Sequence, residues 1–222
     1  MASLAGMSIH QQAYETVFAN PLNQPMKPLK ALLSEVASCR ICEPGLPLGA
    51  NPVLQCSASA KVLIAGQAPG SKVHASGIPF DDPSGDRLRD WMGVSRETFY
   101  NAAKIAILPM GFCYPGSGKS GDLPPRRECA PQWRTSLLAQ MKQIELTLVM
   151  GHYAQQYHFD PGSSSLTELV KSWQDYWPAM IPLPHPSPRN NRWLKTNPWF
   201  ETEVLPELKT RIKQVLKGQI DE

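Results

Sequence analysis

The chain of 222 residues lacks several things, and each absence narrows what it can be. No apolar run approaches the length needed to cross a bilayer, which excludes a helical membrane protein. The first twenty residues have no basic stretch leading into a long apolar one, so no secretory leader is expected and a cytoplasmic or nucleoid-associated location is. Net charge is only +3, compatible with a polyanionic partner without arguing for one. Cysteines number five, an odd count that speaks against a disulfide framework in a chain without a leader. There is no internal repeat and no low-complexity tract, and the GQAPG turn does not run into the GKS or GKT element of a phosphate-binding P-loop.

What is abundant is proline, at 22 residues gathered in three stretches, 44–52, 109–131 and 178–198. Rigid loops on a regular scaffold are where sites are usually built. The scaffold reads as alternating strands and helices. Continuous apolar runs at 61–66, 104–110, 145–151 and 179–184 predict four buried strands. A helical stripe from Pro28 carries Leu29, Leu32, Leu33 and Val36, and further helices are expected at 85–93, 132–144, 152–159, 165–177 and from Trp199 to about Lys217. Short unbroken apolar strands alternating with helices imply a three-layer α/β/α fold around a central four-stranded parallel sheet. Hydrophobic residues make up 42%, enough for one such core, placed at 27–218 and preceded by a peripheral arm at 1–26.

Ligands bind beyond the carboxyl ends of such strands. Three unusual segments fall there: GQAPG (66–70) after the first strand, a Gly/Pro loop with Cys113 after the second, and HPSPRN (185–190) after the fourth. Each has an ordinary reading. GQAPG is a good turn, Asp82 and Asp86 suit helix starts, and Pro, Ser and Asn are common in surface loops. The functional reading is that glycines admit a ligand close to the backbone, that Phe80 stacks on a planar group, that Asp82 or Asp81 handles water, and that prolines hold His185 in place.

Taken together, GQAPG, the SGIPF segment (76–80) and HPS (185–187) resemble three ordered motifs of the uracil-DNA glycosylase superfamily, a resemblance running from about Leu29 to Lys217. HPSPRN in full resembles the single-strand-selective type. Cys39 and Cys42, followed by Cys113 and Cys129 with fifteen residues between them, resemble the iron–sulfur branch. The resemblance implies a monofunctional, monomeric DNA glycosylase that hydrolyses the bond between sugar and a deaminated base, such as uracil, flipped out of DNA during base excision repair. It assigns His185, Asp82 and, second, Asp81 to the reaction. Gln67, Ala68, Gly70 and Phe80 would bind the base. Ser187, Arg189, Asn190, Arg192, Arg126 and Arg127 would contact DNA, with Arg189 filling the gap the base leaves. The four paired cysteines would ligate a 4Fe-4S cluster, with zinc or no metal as the alternatives. Cys56 is left over, as a core thiol or a plain surface one.

The pattern is broken at two positions. Pro109 stands where relatives place an asparagine that reads the uracil edge, and proline offers neither a side-chain amide nor an N–H. Ala68 stands where the best-known members carry an aspartate, which is why Asp82, two residues before Ser84-Gly85-Asp86, is the expected carboxylate. The missing asparagine keeps open a nucleic-acid-binding protein with little turnover, or one that captures abasic DNA covalently. A metal-binding protein unrelated to DNA is the third reading.

Overall fold

The computed structural model describes residues 27–119, 121–159, 162 and 164–217, so the expected arm at 1–26 lies outside the described residues. Helix α1 (Leu29–Ala37) buries Leu32 and Val36, spans the apolar stripe and stops before the first cysteine pair. Then come β1 (Val62–Ala65), α2 (Ser71–Ser76), α3 (Pro83–Met92), α4 (Arg96–Tyr100) and β2 (Ile105–Ile107). Two-residue strands β3 (Ser117–Gly118) and β4 (Gly121–Asp122) form a hairpin inside what reads in sequence as an unstructured loop. A π-helical turn (Ala130–Arg134) leads into α5 (Thr135–Leu138), followed by β5 (Leu146–Met150), α6 (His152–Phe159), α7 (Leu166–Lys171), β6 (Met180–Leu183), α8 (Asn191–Thr196), a second π-helical turn (Phe200–Val204) and α9 (Leu205–Lys217).

The main sheet has four parallel strands in the order β2-β1-β5-β6. Every residue of these strands is buried. Their side chains alternate between faces, as a pleated strand requires. Val62 and Ile64 join Leu148, Ile181 and Phe200 on one face, while Leu63 joins Ala106, Leu137 and Val36 on the other. Both faces are covered, which confirms the expected three layers. Among the described residues no helix is long and apolar enough to cross a membrane.

The strand order makes the crevice. From β1 the chain crosses to β2 on one side, then returns past β1 to β5 on the other. Loops leaving β1 and β5 diverge there, and such a divergence is where α/β sheets receive ligands.

Two local devices aim the segments at the crevice. Asp82 caps α3, accepting a 2.9 Å hydrogen bond from the Gly85 amide, with Pro83 in the first turn. Such a cap contributes about 1 kcal/mol. Phe80 just ahead takes a left-handed φ of 55°, uncommon for a bulky residue. Its carbonyl accepts from the Tyr100 hydroxyl at 3.3 Å and lies tight against Gly85, where a Cβ would fall 1.8 Å from that oxygen. Gly85 is therefore obligatory for Phe80 to stand where it does. Gly85→Ala is expected to destabilise the protein by about 1–3 kcal/mol, as overpacking does, read from urea unfolding. An unchanged midpoint would contradict this packing.

Candidate active site

A cavity of about 340 Å³ opens at the crevice. Its walls come from all three of the segments singled out in the sequence and from the hairpin: Gln67 to Gly70, Phe80 and Asp82, His185 with Ser187 and Arg189, and Ser117 with Asp122. Pro109 closes it at the end of β2.

His185 is the most constrained side chain in it. Its Nδ1 accepts from the Ser187 amide at 3.2 Å, so the ring is held in the tautomer whose proton is on Nε2. Its carbonyl accepts from the Asn190 side-chain amide at 2.7 Å. Arg87, on α3, donates to the Ser187 carbonyl at 3.1 Å and to Asn191 Oδ1 at 2.8 Å. The helix capped by Asp82 is thus clamped to the loop bearing His185. Burial pushes the His185 pKa below its usual 6.5, and the nearby carboxylates of Asp82 and Asp122 offset this only in part. The ring is a neutral donor at neutral pH.

The structure brings most of the expected residues together and separates a few. Asp82 lines the cavity, with one carboxylate oxygen engaged by the Gly85 amide. Asp81 does not. Its carboxylate is paired with Arg96 at 2.9 Å, on the outer side of the turn. Gln67 lines the wall, but its side-chain amide donates to the Leu123 carbonyl at 3.0 Å and so ties the hairpin to the turn after β1. Asn190 braces the His185 backbone rather than facing outward. Arg189 lies at the mouth, its guanidinium packed over Gly121, where a Cβ would fall 2.5 Å away. Arg127 and Arg192 are exposed and outside the cavity. Arg126 is half-buried against Gly45 and paired with Glu128 at 2.9 Å.

Three places in the chain supply participants that carried no sequence signal strong enough to find them. Arg87 reads as one more helix charge until the fold sets it beside residue 187. Ser117 and Asp122 sit in the Gly/Pro loop, although Asp122 is the sole carboxylate between Gly111 and Arg127. Arg134 is the third. It is wholly buried, donating to the carbonyls of Leu108 at 2.7 Å and Pro109 at 3.2 Å and bonded to His158 Nε2 at 2.8 Å, with its guanidinium over the Tyr157 ring. Burial lowers its pKa to about 10, so the charge persists without a carboxylate partner. It fixes the backbone of the very strand end where Pro109 stands.

Some distance along the same loop, Cys39, Cys42, Cys113 and Cys129 all line one small cavity, together with Ile41, Phe112 and Trp133. Burial raises Cys113 to about 11 and Cys129 to about 12, and the neighbouring cysteines add to both. Among the described residues no group of three or more His, Cys, Asp or Glu side chains is found that could hold a metal ion. Pro52 and Glu128 complete the lining of that cavity. Cys56 is apart from the other cysteines, against Met141 at 3.3 Å, as a packing thiol.

The family model of the uracil DNA glycosylase superfamily matches residues 54–209, well over half the chain. The match takes in all the strands named above and the active-site cavity wall from residue 66 to 189, leaving out only Val53 of the lining. It begins after Cys39 and Cys42 and so is silent on that pair.

Two half-buried histidines with enclosed rings set a pH dependence. Burial lowers the pKa of His185, and burial together with the Arg134 charge lowers that of His158 well below 6.5. The unfolded chain then binds more protons than the folded one below about pH 6.5, and stability falls as pH drops through that range, by up to about 1.4 kcal/mol per pH unit for each group. Carboxylates held down by hydrogen bonds, Glu128 and Glu168, act only below their usual 4.5. Urea unfolding between pH 5 and 7.5 is expected to show this loss, and His158→Gln to flatten it. A stability independent of pH across the window would contradict the burial of both rings.

Proposed function

The chain belongs to the uracil DNA glycosylase superfamily, and from that premise we propose that it is a monofunctional DNA glycosylase acting on a deaminated base extruded into the crevice. The observation that carries this reading is His185: a neutral imidazole with Nδ1 occupied, Nε2 carrying the proton, and its loop clamped to α3. A group so held is preorganised to donate to an oxygen on which negative charge develops, which is how such sites lower barriers.

The steps follow from the walls. A base reaches the cavity only by leaving the stack. Phe80, locked by its own backbone, offers the ring face against which it lies. As the bond from sugar to base stretches, the base gathers charge on a carbonyl oxygen and His185 Nε2–H donates to it. The sugar becomes cationic, and the Asp82 oxygen not engaged in the helix cap faces that charge and orients the incoming water. Water adds to the sugar carbon and releases a proton to solvent, and the base leaves as the anion and takes up a proton from solvent. Arg189, packed on the hairpin at the mouth, is placed to occupy the vacated stack, while Arg127 and Arg192 make phosphate contacts that position without reading sequence. Arg126, already paired, is a weaker candidate for that role.

The thiol-lined cavity supports a further part of the reading, a 4Fe-4S cluster held by Cys39, Cys42, Cys113 and Cys129. Its contribution is structural: bound there, it would join the end of α1, the loop after β2 and the π-helical turn. Zinc, held by the same four thiolates, is the alternative.

Two measurements test the proposal. Labelled oligonucleotides, single-stranded and duplex, each with one deaminated base, are incubated with protein and then cleaved by alkali at abasic sites. Release of base is expected, and His185→Ala is expected to slow it by roughly 10²–10³-fold, the usual effect of removing such a donor. DNA binding without release by the wild type would favour the binding or covalent-capture reading instead. Iron analysis of protein purified without oxygen is expected to give roughly four irons per chain, lost in Cys129→Ser. One zinc and no iron would overturn the cluster.

A further inference from the structure

The hairpin across the cavity brings in a second carboxylate. Asp122 Oδ1 accepts from Ser117 Oγ at 2.9 Å, and Ser117 shares a 2.7 Å hydrogen bond with the Tyr114 hydroxyl. The next residue, Leu123, is tied to Gln67. The other oxygen, Oδ2, faces the turn after β1, where a Cβ on Gly70 would lie 3.6 Å away. So Asp122 is anchored on one oxygen, lines the cavity, and has its second oxygen beside the glycine turn. Asp82 stands elsewhere in the wall, on the Phe80 segment.

We propose that Asp122 reads the ring N–H of the extruded base, and that the site thereby favours a deaminated purine of the hypoxanthine type over uracil. This deepens the glycosylase reading and rests on it. The argument begins at Pro109. At the end of β2 it presents no amide, and its carbonyl is held from behind by Arg134. A base edge in this cavity must therefore find its acceptor elsewhere. Gln67 and Asn190 spend their side-chain N–H groups on backbone carbonyls, and Asn190 does not line the cavity. Asp122 keeps an oxygen toward the space, and a carboxylate can only accept.

An acceptor-only group chooses among bases by what flanks the N–H. In uracil the N3–H lies between two carbonyl oxygens. With one carbonyl on His185, the other faces the carboxylate, and two oxygens bearing negative charge repel. In hypoxanthine the N1–H has one carbonyl beside it and a C–H on the other side. His185 can take the carbonyl and Asp122 the N–H, with nothing negative opposed. An amide in place of the carboxylate would tolerate both edges, because it can donate as well as accept.

The test uses the intact protein with oligonucleotides carrying one hypoxanthine or one uracil, and compares wild type with Asp122→Asn. Free hypoxanthine and free uracil are also titrated into each protein by calorimetry. Wild type is expected to release hypoxanthine at least tenfold more efficiently than uracil by kcat/KM, and Asp122→Asn to reduce that ratio at least tenfold, mainly by gaining uracil activity. Free hypoxanthine is expected to bind more tightly than uracil, with the difference lost in the variant. Equal slowing of both bases in Asp122→Asn would make Asp122 a reaction carboxylate and overturn the inference, as would an unchanged ratio. If no base were released but hypoxanthine bound in an Asp122-dependent way, the glycosylase reading would fail and the recognition would stand. With neither release nor binding, both fail.

Discussion

The position of β1 in the sheet is the constraint on which the rest depends. Because β2 pairs on one side of it and β5 on the other, the chain must leave β1 in one direction and come back past it. Helices cannot fill the gap this leaves at the carboxyl ends, and loops from three strands meet there. The residues that matter come from positions as distant as 67 and 189, and none is near another until that sheet forms. Stability and function meet at this point: the same burial that orders the strands lowers the His185 pKa and keeps its ring neutral.

The loops are rigid for identifiable reasons. Gly85 lets α3 start against the Phe80 carbonyl, and Asp82 caps that helix. Arg87 carries the constraint from α3 to the HPSPRN loop, and Arg134 carries one from the π-helical turn to the end of β2. The turn with Arg134 begins just after Cys129, whose sulfur accepts from the Phe112 amide at 3.4 Å. The segment from Leu108 to Cys113 is therefore held at both ends by one short stretch of chain. Its first half borders the active-site cavity and its second half the thiol cavity.

The fold was largely legible in the sequence because its strands are short unbroken apolar runs, and both faces of a parallel sheet demand that. His185, Phe80, Asp82 and the four cysteines could be singled out because the segments that carry them, rich in proline and glycine, resemble ordered motifs of the superfamily. Boundaries were less legible: β2 stops at Ile107, although the apolar run continues to Met110, because Pro109 cannot donate to a ladder. Asp82 was preferred to Asp81 only by its position ahead of Ser84-Gly85-Asp86, and the cap geometry gives the physical reason that it is Asp82 which lines the cavity. Asp122, Arg87 and Arg134 were invisible because each acts through a partner some twenty-five to a hundred residues away or through a two-residue hairpin with no periodicity of its own.

The central claim is that the cavity holds an extruded base between Phe80 and His185. The most direct measurement is a crystal structure with a short oligonucleotide whose central deaminated nucleotide carries a 2′-fluoro group that blocks cleavage. The account predicts the base flat on Phe80, a carbonyl oxygen within about 3 Å of His185 Nε2, and Arg189 in the gap it leaves. A nucleotide still stacked in its strand, with the cavity filled by solvent, would contradict it.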